Sequence, residues 1–194
     1  MGKTVVVGID PSLTNTAIVH GTSADDSTPH CCRSTNCGDT VAGRMERITR
    51  LMVQLEEYWP REKSGSVVTF LEGYAFAAVA SQARYTAEYG GVLRHWLSDR
   101  STVYEVAPTT LKKFCTGKGK GDKTAVVAQV TQRYRVTFST HDAYDAYGLF
   151  RLGLCCADLD EVETSAQQEA SDTVLGRKRR KPSRSQRNQR VLKL

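Results

Sequence analysis

The 194-residue sequence predicts an α/β domain: a five-stranded mixed β-sheet flanked by helices, with a disordered basic tail at the C-terminal end. Two observations carry that prediction. Short β-branched apolar runs of strand length recur at "VVVGI", "NTAIVH", "SVVTFLE" and "STVYEV". After the first strands, segments of helical length and period alternate with these runs, an order that favours a sheet with crossover helices. No internal repeat is visible.

Each element has a local reason. Residues 4–9 form a buried strand that ends at Asp10, before a turn at Pro11-Ser12. Residues 15–20 make the second strand. The segment 21–39, rich in Ser, Thr, Asp, Gly and Cys, holds a strand between loops. Val41, Met45, Ile48, Met52, Leu55 and Trp59 follow at intervals of 4, 3, 4, 3 and 4, which is one face of a helix stopped at Pro60. Residues 66–73 are another apolar run ending in an acid, Glu72. The helical stretch "VASQARYTAEYGGVLRHWL" carries Ala80, Ala83, Ala87 and Gly91 on one face, suited to close packing in the core or against a second copy. A strand over 101–106 leads to Pro108, which pre-sets the first turn of a short helix. "TGKGKGDK" is a Gly-rich basic loop, and Asp122 is placed to cap the helix "KTAVVAQVTQRY". The last ordered element is the helix "THDAYDAYGLFRLGLCCA".

Charge divides the chain into three parts: +3 over 1–157, −6 over 158–175 and +9 over 176–194. These read as one folded domain, an acidic linker and a basic disordered tail. Such a tail binds nucleic acid without sequence preference, serves as a nuclear-import signal or is a solvated end. No apolar run reaches the roughly 18–20 residues a bilayer requires. The start, "MGKTVVVGID", lacks a signal-peptide pattern, so an intracellular, reducing location is expected for the six cysteines.

Four carboxylates stand out. Asp10 and Glu72 each end a strand, where functional crevices of open α/β sheets lie. Asp142 and Asp145, three residues apart, share one face of an otherwise apolar helix. Like charges there repel unless a cation offsets them. Two divalent cations would do so, and hard carboxylate oxygens suit Mg²⁺ or, in its place, Mn²⁺. Singly, each acid also reads as a turn, cap or solvated residue. Around the Gly-rich loop, Lys112, Lys113, Lys118, Lys120 and Lys123 form a phosphate-binding pattern beside a helix N-terminus. Lys123 is expected nearest a bound phosphate, and Arg84 farther along a nucleic-acid backbone.

Four segments in this order resemble the RuvC family of Holliday-junction resolvases, within the ribonuclease H-like superfamily. "GIDPSLTNTA" resembles its first motif, with Asp10, and "FLEGYAF" its second, with Glu72. "PTTLKKFCTGKGKGDKTAVVAQV" resembles its basic segment, whose lysines fall on Lys112 and Lys123, and "HDAYDAYGL" its final motif, with Asp142 and Asp145. The resemblance covers most of 4–157. It implies a ribonuclease H-like fold and a homodimer that nicks four-way DNA junctions symmetrically. It also implies attack by water with two Mg²⁺ ions per active site, and Asp10, Glu72, Asp142, Asp145 and Lys123 as the catalytic set. The junction wedge it implies is Tyr74 or Phe76. The segment after Glu72 and the acidic-then-basic end depart from the bacterial pattern and point to a bacteriophage or organellar member, cutting other branched DNA as well. Its place would be the cytoplasm, at the nucleoid or in an infected host cell, or an organelle.

Competing readings are fewer. An ATP-binding protein of the same superfold would be longer and carry a second glycine-rich motif. A non-catalytic DNA-binding protein has no use for two acids one turn apart in an apolar helix. A ribonuclease H acting on RNA–DNA hybrids is the nearest rival. "HCCRSTNC" offers Cys31, Cys32, Cys37 and His30, whose spacing fits no common zinc knuckle. Cys155, Cys156, Trp59 and Trp96 read as core, and His141 as a helix-start residue.

Overall fold

The computed structural model describes residues 3–61, 65–73 and 80–177. Five strands, β1 (Val5–Asp10), β2 (Asn15–Gly21), β3 (Thr28–Arg33), β4 (Val67–Glu72) and β5 (Thr102–Val106), form one sheet in the order β3-β2-β1-β4-β5. β1 pairs antiparallel with β2, and β2 with β3, while β4 and β5 run parallel to β1. The sheet is therefore mixed, as expected. β1 is buried along its whole length at the centre.

Helices cover both faces. α1 (Val41–Tyr58) and α2 (Ala80–Ser98) pack on the side lined by Val5, Val7, Ile9 and Leu71. α3 (Pro108–Thr116), α4 (Lys123–Tyr134), α5 (His141–Cys156) and α6 (Ser165–Val174) gather on the other, lined by Val6, Phe70 and Val106. The split follows the two-residue period of the strands. Side chains cap helix starts: the Thr40 hydroxyl accepts from the Gly43 N–H, and, as the sequence predicts, the Asp122 carboxylate accepts from the Ala125 N–H.

α5 lies unusually close to β1. A Cβ on Gly8 would stand 2.3 Å from the Ala146 carbonyl oxygen and 2.4 Å from the Phe150 nitrogen. One on Gly153 would stand 2.5 Å from the Val6 and Phe70 side chains. Gly8 lets helix and strand touch backbone to backbone, and Gly153 lets the Val6 and Phe70 side chains pack onto the α5 backbone.

The structure changes two expectations. α1 buries Ile48, Leu51 and Leu55, whereas Val41 is 66 % and Met45 38 % exposed. The large apolar residues of α1 that are buried therefore begin at Ile48 rather than at Val41. More important, 158–175 is no mere acidic linker. It contains α6, begun by a capping box between Thr164 and Gln167 and seated through buried Gln167, Ala170 and Ser171. Its acids meet bases of the domain: Glu169 pairs with Lys113, Glu163 with Arg133 at 3.6 Å, and Asp160 with Arg151 at 2.6 Å. The basic stretch from 178 onward lies outside the described residues.

Trp59 and Trp96 meet edge to face at 4.9 Å, half-buried at the ends of α1 and α2, while Cys155 and Cys156 are core residues. Among the described residues, no helix is long and apolar enough to cross a membrane.

Replacing Gly8 by Ala is expected to lower stability by about 1–3 kcal/mol, because the added methyl overpacks a backbone contact. Urea unfolding checks this. An unchanged midpoint would mean that α5 can lift off β1 without cost.

Candidate active site

The strand period places the first two acids. Asp10 follows Ile9, which pairs with Leu71, and Glu72 follows Leu71 on the neighbouring parallel strand. Ile9 and Leu71 face α1 and α2, so Asp10 and Glu72 both face α5. Their side chains are hydrogen-bonded to each other. α5 supplies the other two from above. Its N-cap Thr140 accepts from the Ala143 N–H at 3.3 Å, fixing the first turn that carries Asp142. Asp145 follows one turn on, 8 % exposed, and Asp10 is 5 % exposed.

Burial and mutual repulsion dominate the electrostatics. Burial first, then Glu72, Asp145 and Asp142, hold the Asp10 carboxyl well above the ordinary carboxylate range. Burial, opposed by the Asp10 hydrogen bond and by Lys123 and Lys112, raises Glu72. Burial and Glu72 push Asp145 up to about 6 against the pull of the same two lysines. Two buried acids that share a hydrogen bond behave as one proton-holding pair.

Two lysines answer the acids. Lys123, the first residue of α4, has its Nζ 3.9 Å from Asp142 Oδ1. Lys112, from α3, donates to the Gly121 carbonyl at 3.0 Å, which ties the Gly-rich loop over the site. Lys112, Lys123, Glu72 and Asp145 line one cleft of about 290 Å³, together with Pro11 and Thr86.

Among the described residues, no three Asp, Glu, His or Cys side chains stand close enough to hold one ion between them. The donor chemistry nevertheless fits divalent cations. Four carboxylates interact across one site, two of them buried, with lysine charge at the edge rather than within. That is an excess of hard oxygen charge which a small cation would neutralise.

No family model matches the chain. A curated relative, the crossover junction endodeoxyribonuclease RuvC of Chlorobium phaeobacteroides, is 27 % identical over 178 residues, covering 88 % of this chain and 89 % of that one. Among solved structures, T. thermophilus RuvC in complex with Holliday junction substrate superposes with a TM-score of 0.55 at 18 % identity, over 80 % of this chain and 96 % of the other. A second Thermus thermophilus RuvC structure gives 0.52 at the same identity, over 80 % and 97 %. The chain is similar to RuvC over most of its length. Its sheet and helices form the ribonuclease H-like fold.

The remaining expected residues divide. Lys118 and Lys120 lie exposed on the loop between α3 and α4. Lys113 turns away: its ion pair with Glu169 of α6 removes it from the group of lysines expected around the phosphate. Tyr74 and Phe76 lie outside the described residues, as does the Arg84 side chain. His141 opens α5, exposed at the rim. Cys31 and Cys32, adjacent on β3, project to opposite faces of the sheet, so they do not point at a common centre.

Three residues that support the site were missed in the sequence. Asn15 Nδ2 donates to Asp142 Oδ2 at 2.8 Å and to Thr140 Oγ1 at 3.3 Å. The Thr16 hydroxyl donates to the Ser12 carbonyl at 2.7 Å and contacts the buried Tyr89 hydroxyl at 2.8 Å, which pins the turn after Asp10. A polar Thr between a turn and the apolar run "AIV" was the available signal for Thr16.

The Asp145 shift has a sign that can be tested. Its folded value, about 6, lies above the ordinary 3.8, so the folded protein holds this proton more tightly than the unfolded chain. The ionised group therefore opposes folding above pH 6, and stability rises as pH falls from about 7 toward 4 through this group. Asp145→Asn should raise the melting temperature of the metal-free protein at pH 7.5 and flatten its rise between pH 7 and 5. Thermal melts across pH measure both, and a variant that is less stable at pH 7.5 would refute the repulsion.

Proposed function

We propose that this chain is a crossover junction endodeoxyribonuclease, a metal-dependent enzyme that resolves four-way DNA junctions by paired, symmetric nicks. The observation that carries the proposal is the convergence of Asp10, Glu72, Asp142 and Asp145 beside Lys112 and Lys123 on this fold. Branched DNA as substrate is supported by the curated RuvC relative and by the solved RuvC–junction complex.

Hydrolysis requires water to attack phosphorus while the 3′ oxygen leaves, giving 5′-phosphate and 3′-hydroxyl ends. Two Mg²⁺ ions held by the four carboxylates would supply the activated water and the charge for the leaving oxygen, with Mn²⁺ able to replace them. The chain's own groups do the rest. Lys123 and Lys112 line the carboxylate cleft and present ammonium groups to the phosphate's non-bridging oxygens. The N-terminus of α4 adds backbone N–H groups and a favourable dipole to the same anion. The Asn15 amide and the Thr140 cap orient Asp142. The turn tied by Thr16 and Tyr89 keeps Asp10 at the strand end.

A homodimer would present two such sites to the two strands of a junction. The open surface of α2 supports it: Ala87 and Gly91 are exposed, nothing lies within 4 Å of a Cβ built on Gly91, and Val92 is 40 % exposed. The basic stretch from 178 onward would follow the DNA arms, and Tyr74 or Phe76 would wedge into the junction centre. The nuclease domain then extends through α6. The protein would act where its DNA is, in the cytoplasm at the nucleoid of a cell or infected host, or in an organelle.

Asp10→Asn and Asp145→Asn are each expected to abolish cleavage, by more than the roughly 10–100-fold that loss of an outer-shell partner costs. Junction binding should persist, since losing a carboxylate lessens repulsion of phosphate. End-labelled four-way junction, Y-fork, duplex and RNA–DNA hybrid, each with Mg²⁺ and with EDTA, give the readout. Cleavage of the hybrid alone would make the protein a ribonuclease H, and loss of binding with cleavage would refute the division between carboxylates and lysines. Removal of 178–194 should weaken binding chiefly at higher salt and spare cleavage at low salt.

A further inference from the structure

A second cleft, of about 500 Å³, opens on the β3 side of the carboxylates and is lined by Asn15, Arg33, Lys123, Thr140, His141 and Asp142. Lys123 is common to both clefts and so stands on their boundary. Arg33 is the last residue of the edge strand β3 and pairs in register with Asn15. Cross-strand partners stand on the same face. Since Asn15 reaches Asp142 on α5, Arg33 also rises on the α5 side, beside that hydrogen bond.

The Arg33 backbone is held rigidly. Its N–H donates to Gln54 Oε1 at 3.0 Å, and its carbonyl accepts from Gln54 Nε2 at 2.9 Å. Its guanidinium is exposed and makes no hydrogen bond or ion pair with any described residue. By contrast Arg44, Arg94, Arg100, Arg133 and Arg151 each pair with a carboxylate. A fixed base carrying an unengaged fork at the wall of a cleft matches the geometry of phosphate recognition.

We infer that the second cleft is a phosphodiester subsite, in which Arg33 grips the DNA backbone phosphate next to the one that is cut, while Lys123 on the boundary stays with the scissile phosphate. The inference rests on the endonuclease reading and adds to it a direction: the cut strand crosses from the Glu72 cleft over Lys123 toward the sheet edge. His141 at the rim and the N–H groups of the first α5 turn face the same anion. Asp142, the one carboxylate on this wall, is already engaged by Asn15 and Lys123.

The test uses the full chain and a synthetic four-way junction. Binding is measured in EDTA over a salt series for the parent, Arg33→Ala and Arg33→Lys. One lost phosphate contact should reduce the slope of log K against log salt by about 0.9 in Arg33→Ala, while Arg33→Lys keeps the parental slope. Once the cut is mapped, junctions with a single neutral methylphosphonate at either flanking phosphate are compared. The parent should lose affinity at one of the two positions, and Arg33→Ala should show no further loss there. A parental slope together with parental methylphosphonate sensitivity in Arg33→Ala overturns the subsite, whatever its melting temperature. If the parent neither binds nor cuts the junction, the endonuclease reading itself fails, which is a different result.

Discussion

The backbone contact between α5 and β1 is the constraint on which the rest of the structure depends. Helices normally stand off a sheet by the thickness of two side-chain layers, but at Gly8 the Ala146 carbonyl and Phe150 nitrogen occupy the space of a Cβ. That approach lowers the first two turns of α5 onto the end of β1, so that Asp145 and Asp142 come to bear on Asp10 and Glu72. It also dictates composition. The α5 face against the sheet places Ala146 over Gly8 and Gly153 over Val6 and Phe70, because larger groups there would push the helix and its acids off the strands. Fold and site are thus one decision of packing.

That arrangement carries an electrostatic cost which the fold does not remove. Two lysines border four acids, and both lie at the edge: Lys123 is largely exposed, and Lys112 is tied to a loop carbonyl. Asp10 and Glu72 relieve part of the repulsion by hydrogen-bonding to each other, and Asp145 by holding its proton to higher pH. A protein selected for stability alone would place amides or apolar groups here. Retaining buried acids is explicable if their charge is completed from outside, by cations and the phosphate they accompany.

Much of this was legible in the chain. The alternation of "VVVGID" and "VVTFLE" puts Asp10 and Glu72 on one face, and a spacing of three does the same for Asp142 and Asp145. What was hidden depends on how elements meet. Lys112 and Lys113 are adjacent in sequence, and only the rotation of α3 between the site and α6 sends one to Gly121 and the other to Glu169. α6 was obscured by its net charge, although Thr164 and Gln167 stand at capping-box spacing and the small apolar positions Ala166, Ala170 and Val174 recur every four residues. Asn15 and Arg33 are neighbours only through strand register, which no local pattern specifies.

The partition of the two lysines shows why an acidic segment belongs next to a basic one in this chain. Glu169, Glu163 and Asp160 draw Lys113, Arg133 and Arg151 toward α6, on the flank away from the carboxylate cleft. Arg151 is further held over the Tyr134 ring at 4.0 Å, whose hydroxyl accepts from Gln167 of α6. Without α6 these cations would be open on the surface and would offer phosphate a competing platform on the wrong side of α3 and α4. With it, the basic groups left facing the two clefts among the described residues include Lys112, Lys123 and Arg33, with Lys118 and Lys120 exposed on the adjoining loop. On the proposed function, the acidic segment would bear on DNA recognition by subtraction, neutralising bases on the α6 flank and leaving the positive groups beside the carboxylates.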